Sequence, residues 1–268
     1  ILDQFHLSGL FIQRKVSGHS TGGLTVAYMA AMKGARIGVN RVVTDSPFLE
    51  WNFSPLMRNV GAPLIGFLSK FSPDSKIKQS HCDGYAYSLL KQYYGEWEYN
   101  TDWKMIYSPP VTFSWVGAIN SAQSKLFKNG SHITVPILVM HSSRKIDGCA
   151  YTPAFKTGDC VLDPFMIQKQ GMKLGRIREV CTIDSGIHDL ILSPLPARRA
   201  AYDTIFQFLR THCFAPFYPP PINPPPESAP PSFSRISPAS VRSRASTLVR
   251  PPKKRFSASP TRNPPSGL

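Results

Sequence analysis

The sequence predicts an α/β fold with a mostly parallel sheet, a helical insertion and a separate C-terminal tail. Short apolar segments with strand character alternate with amphipathic helical segments, the order that a parallel sheet requires. The clearest buried strand is the apolar run 135–141, which has a proline near its edge. A change in composition near residue 213 marks the end of the folded region.

The predicted elements follow one another with short connections, except in the stretch 47–133 and in the long loop 142–158. Helices are recognised by apolar residues at a spacing of 3.6 and strands by short apolar runs. The stretch 47–133 is aromatic-rich and irregular, and we interpret it as a helical cap insertion. In chain order we predict a helix end in 1–10, a strand over 11–17, a helix over 21–33, a strand over 37–44, a helix over 111–127, a strand over 135–141, a helix over 164–174, a strand over 178–183 and a helix over 196–210.

The formal net charge is +15, and about half of the excess lies in the tail. From Pro216 onward there are eight Lys/Arg residues and one acid, so this stretch carries +7. It also contains 15 of the 26 prolines, and it lacks the apolar periodicity needed to offset the entropy of ordering. We predict a domain over 1–213 and a disordered Pro/Ser/Arg-rich tail over 214–268.

The tail suggests contacts rather than chemistry. Its polyproline-like stretches at 219–221 and 224–226 suit SH3/WW-type partners, and the basic run 253–255 suits an anionic surface. We expect no specific nucleic-acid binding, and a solvated low-complexity tail is the simpler interpretation. The sequence does not indicate the oligomeric state.

Five cysteines are scattered along the chain without a C-x-x-C pair or zinc-ligand spacing. We therefore expect reduced thiols, no structural metal, no cofactor and a cytoplasmic location. The five residues are Cys82, Cys149, Cys160, Cys181 and Cys213.

The motif that indicates chemistry is the G-x-S-x-G core from Gly18 to Gly22. A strand precedes it and a helix follows it, as in the nucleophile elbow of α/β-hydrolases, where a sharp turn exposes a serine hydroxyl. We expect the glycines on either side of Ser20 to be there because a Cβ would clash. The backbone N–H of Thr21 would then donate to an oxyanion.

A serine nucleophile needs a histidine to accept its proton and a carboxylate to orient that histidine. Asp159 and His188 follow Ser20 in the Ser–Asp–His order, and each follows a predicted strand. Asp163 is the alternative acid and Asp45 a third candidate, whereas we interpret Asp189 as a loop residue. Of the other histidines, His19 is the variable residue inside the G-x-S-x-G motif, and the rest have no partner pattern: His6, His81, His132, His141 and His212.

Five segments together resemble the serine aminopeptidase S33 branch of the α/β-hydrolases, to which monoacylglycerol lipases and lysophospholipases belong. The similarity covers roughly residues 1–212. The segments are Gly-His-Ser-Thr-Gly-Gly at 18–23, Asp-Ser-Pro-Phe-Leu-Glu-Trp-Asn at 45–52, Gly-Glu-Trp-Glu-Tyr-Asn-Thr-Asp-Trp-Lys at 95–104, Asp-Cys-Val-Leu-Asp at 159–163 and Gly-Ile-His-Asp-Leu-Ile-Leu-Ser at 186–193.

This resemblance implies a serine hydrolase with Ser20 as nucleophile, Asp159 as acid and His188 as base. The substrates would be carboxylic esters such as monoacylglycerols, lysophospholipids or small esters. In the family, several strands and a His-Gly oxyanion loop come before the elbow, so we expect an N-terminally truncated domain. The alternative is a catalytically inactive homologue that binds partners through its tail.

Overall fold

The computed structural model describes residues 14–34, 38–78 and 82–212. Four parallel strands form one sheet in the order β1-β2-β3-β4. The strands are β1 (Arg14–His19), β2 (Val39–Asp45), β3 (Ile137–Ser142) and β4 (Arg178–Ile183), and the α-helices are α1 (Thr21–Lys33), α2 (Ala62–Leu68), α3 (Gly84–Leu89), α4 (Phe113–Asn129), α5 (Pro164–Gly171) and α6 (Leu195–Thr211).

Helices cover both faces of the sheet, and the period-2 pattern of the strands assigns side chains to each face. In β3, Ile137 and Val139 belong to an apolar cluster with α1, α4 and α5. Their neighbours Leu138 and Met140 belong to a second cluster with α6. All six residues of β3 are buried, as expected for a strand covered on both faces.

The parallel α/β architecture predicted from the sequence is confirmed. The predicted bounds of α1 and β4 agree with the structure, and α4, α5 and α6 differ by one to three residues at their ends. The predicted helix end in 1–10 and the tail over 214–268 lie outside the described residues.

The insertion between β2 and β3 is held by aromatic side chains. The ring of Trp51 lies 4.9 Å from that of Phe48 and 5.8 Å from that of Trp115, and its Nε1 donates to Asn120 at 2.5 Å. Because Trp115 and Asn120 are in α4, this cluster fixes the exit of β2 against that helix. The insertion boundaries, 47–133, stay a prediction.

The expectation of five reduced thiols is wrong for one pair. Cys82 and Cys149 form a disulfide across 67 residues of sequence, with their Cα atoms 4.4 Å apart. Sequence spacing alone does not reveal such a pair, because two loops from different parts of the chain bring the sulfurs together. Cys160 and Cys181 are free.

Candidate active site

Ser20 occupies a sharp turn between β1 and α1. Its φ of 53° and ψ of −118° lie in a region that L-residues rarely adopt. The turn is fixed by backbone hydrogen bonds to the chain leaving β2. The Ser20 N–H donates to the Asp45 carbonyl, and the Phe48 N–H donates to the Ser20 carbonyl, both at 2.9 Å.

The glycines around Ser20 have different surroundings. A Cβ on Gly18 would overlap the Gly22 carbonyl group, and one on Gly23 would come within 2.7 Å of the Pro47 side chain. A Cβ on Gly22, by contrast, would meet open space. The expectation that both flanking glycines are sterically required is therefore right for Gly18 and wrong for Gly22, and Gly23 is the second constrained position.

The structure brings the three residues of the predicted triad together. His188 Nε2 lies 3.1 Å from Ser20 Oγ, and His188 Nδ1 lies 2.9 Å from Asp159 Oδ2. Asp159 and His188 are almost completely buried, with 0% and 3% of their surfaces exposed. At these distances the imidazole of His188 can accept the hydroxyl proton of Ser20 while the carboxylate of Asp159 orients the imidazole.

Local hydrogen bonds hold Asp159 in place. Its Oδ1 accepts from the N–H groups of Val161 and Leu162, both at 2.8 Å, which leaves Oδ2 for His188. The two ends of the loop between β3 and Asp159 lie side by side, because Asp159 N–H donates to Arg144 O and Asp159 O accepts from Ile146 N–H. The length of that loop therefore does not loosen the position of the carboxylate.

The alternative acids have other partners. Asp163 caps the N-terminus of α5, where its Oδ1 accepts from the Phe165 N–H at 3.0 Å. Asp189 caps a short 3₁₀ turn at Leu190–Leu192. Asp45 accepts from the Leu190 N–H at 3.3 Å and lies beside His19.

Thr21 is the first residue of α1. The N–H at that position has no partner within the helix, and the positive end of the helix dipole lies there. This is the geometry expected of an oxyanion donor, and Thr21 as that donor stays a prediction.

Two residues that sequence reasoning did not select also border the site. The ring of Tyr85 lies 5.8 Å from that of His188, and its hydroxyl is buried without a hydrogen-bond partner among the described residues. Burial, then Asp189, raises the pKa of Tyr85 well above its ordinary value, so the phenol stays protonated. Cys160 is beside the acid, and burial raises the pKa of its thiol to about 12, which excludes a thiolate competing with Ser20.

His19 was also missed, although it is adjacent to Ser20 in the chain. It aligns with Asp45 across the β1–β2 register, and its ring approaches both Asp45 and Asp189. Ligand atoms of these three residues lie within 4.8 Å of one another, so they could hold a metal ion. The Lys104 ammonium, 4.0 Å from Asp189 Oδ2, competes with a cation for this position.

Comparisons with known proteins agree on the fold. A family model described as "Serine aminopeptidase, S33" matches residues 6–145, just over half of the chain. No curated protein matches the chain.

Two solved structures are similar to this chain at low sequence identity. The monoacylglycerol lipase of Paleococcus ferrophilus is 17% identical with a TM-score of 0.52, and the match covers 79% of this chain and 73% of that one. A soluble variant of monoglyceride lipase from Saccharomyces cerevisiae is 18% identical with a TM-score of 0.50, and 73% of this chain and 64% of that one are covered. At these identities the similarity shows the α/β-hydrolase fold.

Proposed function

Because this chain belongs to the serine aminopeptidase S33 family of α/β-hydrolases, we propose that it is a serine hydrolase that cleaves carboxylic esters through an acyl-enzyme. The observation that supports this most directly is the continuous contact from Ser20 Oγ through His188 to Asp159. The carboxyl ends of parallel strands meet at one edge of the sheet, which is where α/β proteins bind their ligands.

In this proposal Ser20 Oγ attacks the ester carbonyl carbon while His188 Nε2 takes the hydroxyl proton. Asp159 fixes the tautomer of His188 and stabilises the imidazolium that forms. The Thr21 N–H donates to the oxyanion of the tetrahedral intermediate. His188 then gives its proton to the departing alcohol, and water releases the acyl group from Ser20 by the same steps.

We favour a lipid ester, such as a monoacylglycerol or lysophospholipid, over a small ester. Exposed apolar side chains are concentrated on the turn before α2 and on α2 itself, a distribution suited to substrates present in lipid aggregates. They are Leu56, Met57, Val60, Leu64, Phe67 and Leu68.

No helix among residues 14–34, 38–78 and 82–212 combines the length and apolarity needed to cross a bilayer. The expected cytoplasmic location stays a prediction, and the Cys82–Cys149 disulfide is more typical of oxidising compartments.

The test is covalent labelling with a fluorophosphonate probe. We expect the wild-type chain to be labelled at Ser20 and Ser20→Ala to be unlabelled. Ser185→Ala is the matched control, because Ser185 has nearly the same φ, 54°, and also follows a strand. A folded wild-type sample that takes up no label would contradict the proposal and favour the non-catalytic alternative.

The acid is tested by two aspartates four residues apart. We expect Asp159→Asn to lower kcat by roughly 10⁴, the size of loss seen when the triad carboxylate is replaced elsewhere. Asp163→Asn should keep both activity and stability, because asparagine caps a helix as well as aspartate does. Measurements of kcat on p-nitrophenyl butyrate decide between them, and equal losses in the two variants would refute the assignment.

A further inference from the structure

A second histidine–carboxylate cluster lies directly against the candidate triad. His19 Nδ1 is 3.6 Å from Asp45 Oδ2, and His19 Nε2 is 3.9 Å from Asp189 Oδ2. The ring of His19 meets that of His188 edge-on, with 4.8 Å between their centres. Both atoms of the His19–Asp45 contact are buried and have no hydrogen-bond partner among the described residues, so this ion pair is their main interaction.

The cluster joins the two chain segments that carry the nucleophile and the base. His19 and Ser20 are consecutive, as are His188 and Asp189. Asp45 reaches the histidine loop directly, because its Oδ1 accepts from the Leu190 N–H. A change at His19 therefore reaches both Ser20 and His188.

Charge counting shows why His19 is useful as a cation. Asp159 contacts His188 directly, and Asp45 and Asp189 lie against His19, whose ring meets that of His188. Lys104 offsets one of these three carboxylates. A protonated His19 offsets a second and leaves one negative charge, which matches the single imidazolium that forms on His188. Without it, two negative charges would remain beside the histidine that has to accept the serine proton.

We propose that His19 is a positioning residue for the hydrolysis proposed above, holding the histidine loop against the nucleophile turn and balancing the carboxylates of Asp45 and Asp189. Burial lowers the pKa of His19, but the two carboxylates outweigh burial and raise it above its ordinary value, although Lys104 opposes them. His19 therefore keeps its proton to higher pH than a free histidine does. Tyr85, also beside His188, is neutral and adds no charge.

The experiment is the pH profile of kcat/KM for p-nitrophenyl butyrate in single and double variants. We expect His19→Gln to move the midpoint of the acidic limb to higher pH by about one unit. The ring centres of His19 and His188 are 4.8 Å apart, and partial solvation of the site weakens the Coulomb interaction at that distance. Asp189→Asn should move the midpoint to lower pH, and the double variant should return it close to the wild-type midpoint.

The opposite directions and the mutual compensation distinguish charge balance from simple structural damage. Lys104→Met, a change at a part-exposed side chain, should move the midpoint in the same direction as His19→Gln and serves if the latter does not fold. The controls His132→Gln, on an exposed turn, and Asp184→Asn, an exposed acid after β4, should leave the midpoint unchanged. Removal of metal ions with EDTA should have no effect, since His19 and Lys104 supply the positive charge.

Activity losses without movement of the midpoint, or a midpoint that EDTA moves, would overturn this role for His19. The pH profiles can be measured only if the wild-type chain hydrolyses the ester and is labelled at Ser20. A wild-type chain that does neither refutes the proposed function itself, so the two failures are distinguishable.

Discussion

Three serines, Ser20, Ser46 and Ser185, have a positive φ, and no other non-glycine residue in the described part of the chain does. Each lies just beyond the carboxyl end of a strand: β1, β2 and β4. Such conformations cost of order 1–3 kcal/mol each and persist only where the surroundings enforce them. For Ser20 the enforcing contacts are the hydrogen bonds to Asp45 and from Phe48.

The glycines of the elbow provide a stability test at the residue scale. Gly18→Ala should lower the free energy of unfolding by about 2 kcal/mol or more, because the new methyl group would overlap the Gly22 carbonyl group. Gly22→Ala should be neutral or stabilising by up to about 1 kcal/mol, since that position is helical and faces open space. Chemical denaturation compares the two, and equal effects would contradict the steric explanation.

At the scale of secondary structure, apolar periodicity was sufficient to predict β3, α1 and α6. Each has a continuous apolar run, or an apolar stripe along one face, that is buried in the core. The strand β1 was harder, because it is half-exposed and carries Arg14 and Lys15, so its sequence lacks the signature of a buried strand. The insertion was predicted only in outline, since its helices α2 and α3 are short and many of their apolar residues are exposed.

The candidate site likewise contains residues that the sequence predicts and residues that it does not. Ser20, Asp159 and His188 were predictable because a motif and a chain order specify them. The cluster of His19, Asp45 and Asp189 was not, because it depends on the β1–β2 register and on the path of the histidine loop. Tyr85 likewise reaches His188 only through the folding of the insertion.

The disulfide connects the segment before α3 to the loop that leads to Asp159, and we predict the effect of removing it. Cys82 precedes α3, which carries Tyr85, and Cys149 lies in the loop that leads to Asp159. Replacing both cysteines by serine should lower the free energy of unfolding by about 2–4 kcal/mol, because the bond restricts a long loop in the unfolded chain.

Thermal unfolding with and without dithiothreitol measures this contribution. The reductant should destabilise the wild-type chain and leave the double-serine variant unchanged. A reductant effect of equal size in both would show that the bond does not contribute to stability.

On the scale of the whole domain, the two apolar clusters on opposite faces of the sheet share its strands. Because β3 contributes alternate residues to both, neither face can lose its packing without exposing the strand that the other needs. We therefore expect the described part of the chain to unfold in a single cooperative transition. Damage to the α6 face should lower the stability of the α1–α4 face as well.

Two phenylalanines on α6 test this coupling. Phe208 is fully buried, whereas Phe206, two residues earlier, is 53% exposed. Phe208→Ala should cost about 3–5 kcal/mol, the range for large-to-small changes in a core, and Phe206→Ala less than about 1 kcal/mol. The coupling is read from a probe on the opposite face, the fluorescence of Trp51, which packs in the α1–α4 cluster, in a chain whose other tryptophans, Trp97, Trp103 and Trp115, are replaced by phenylalanine. If Phe208→Ala leaves the midpoint of the Trp51 transition unchanged while circular dichroism reports a separate loss of helix at lower denaturant concentration, the two faces unfold independently and the single-transition expectation is refuted.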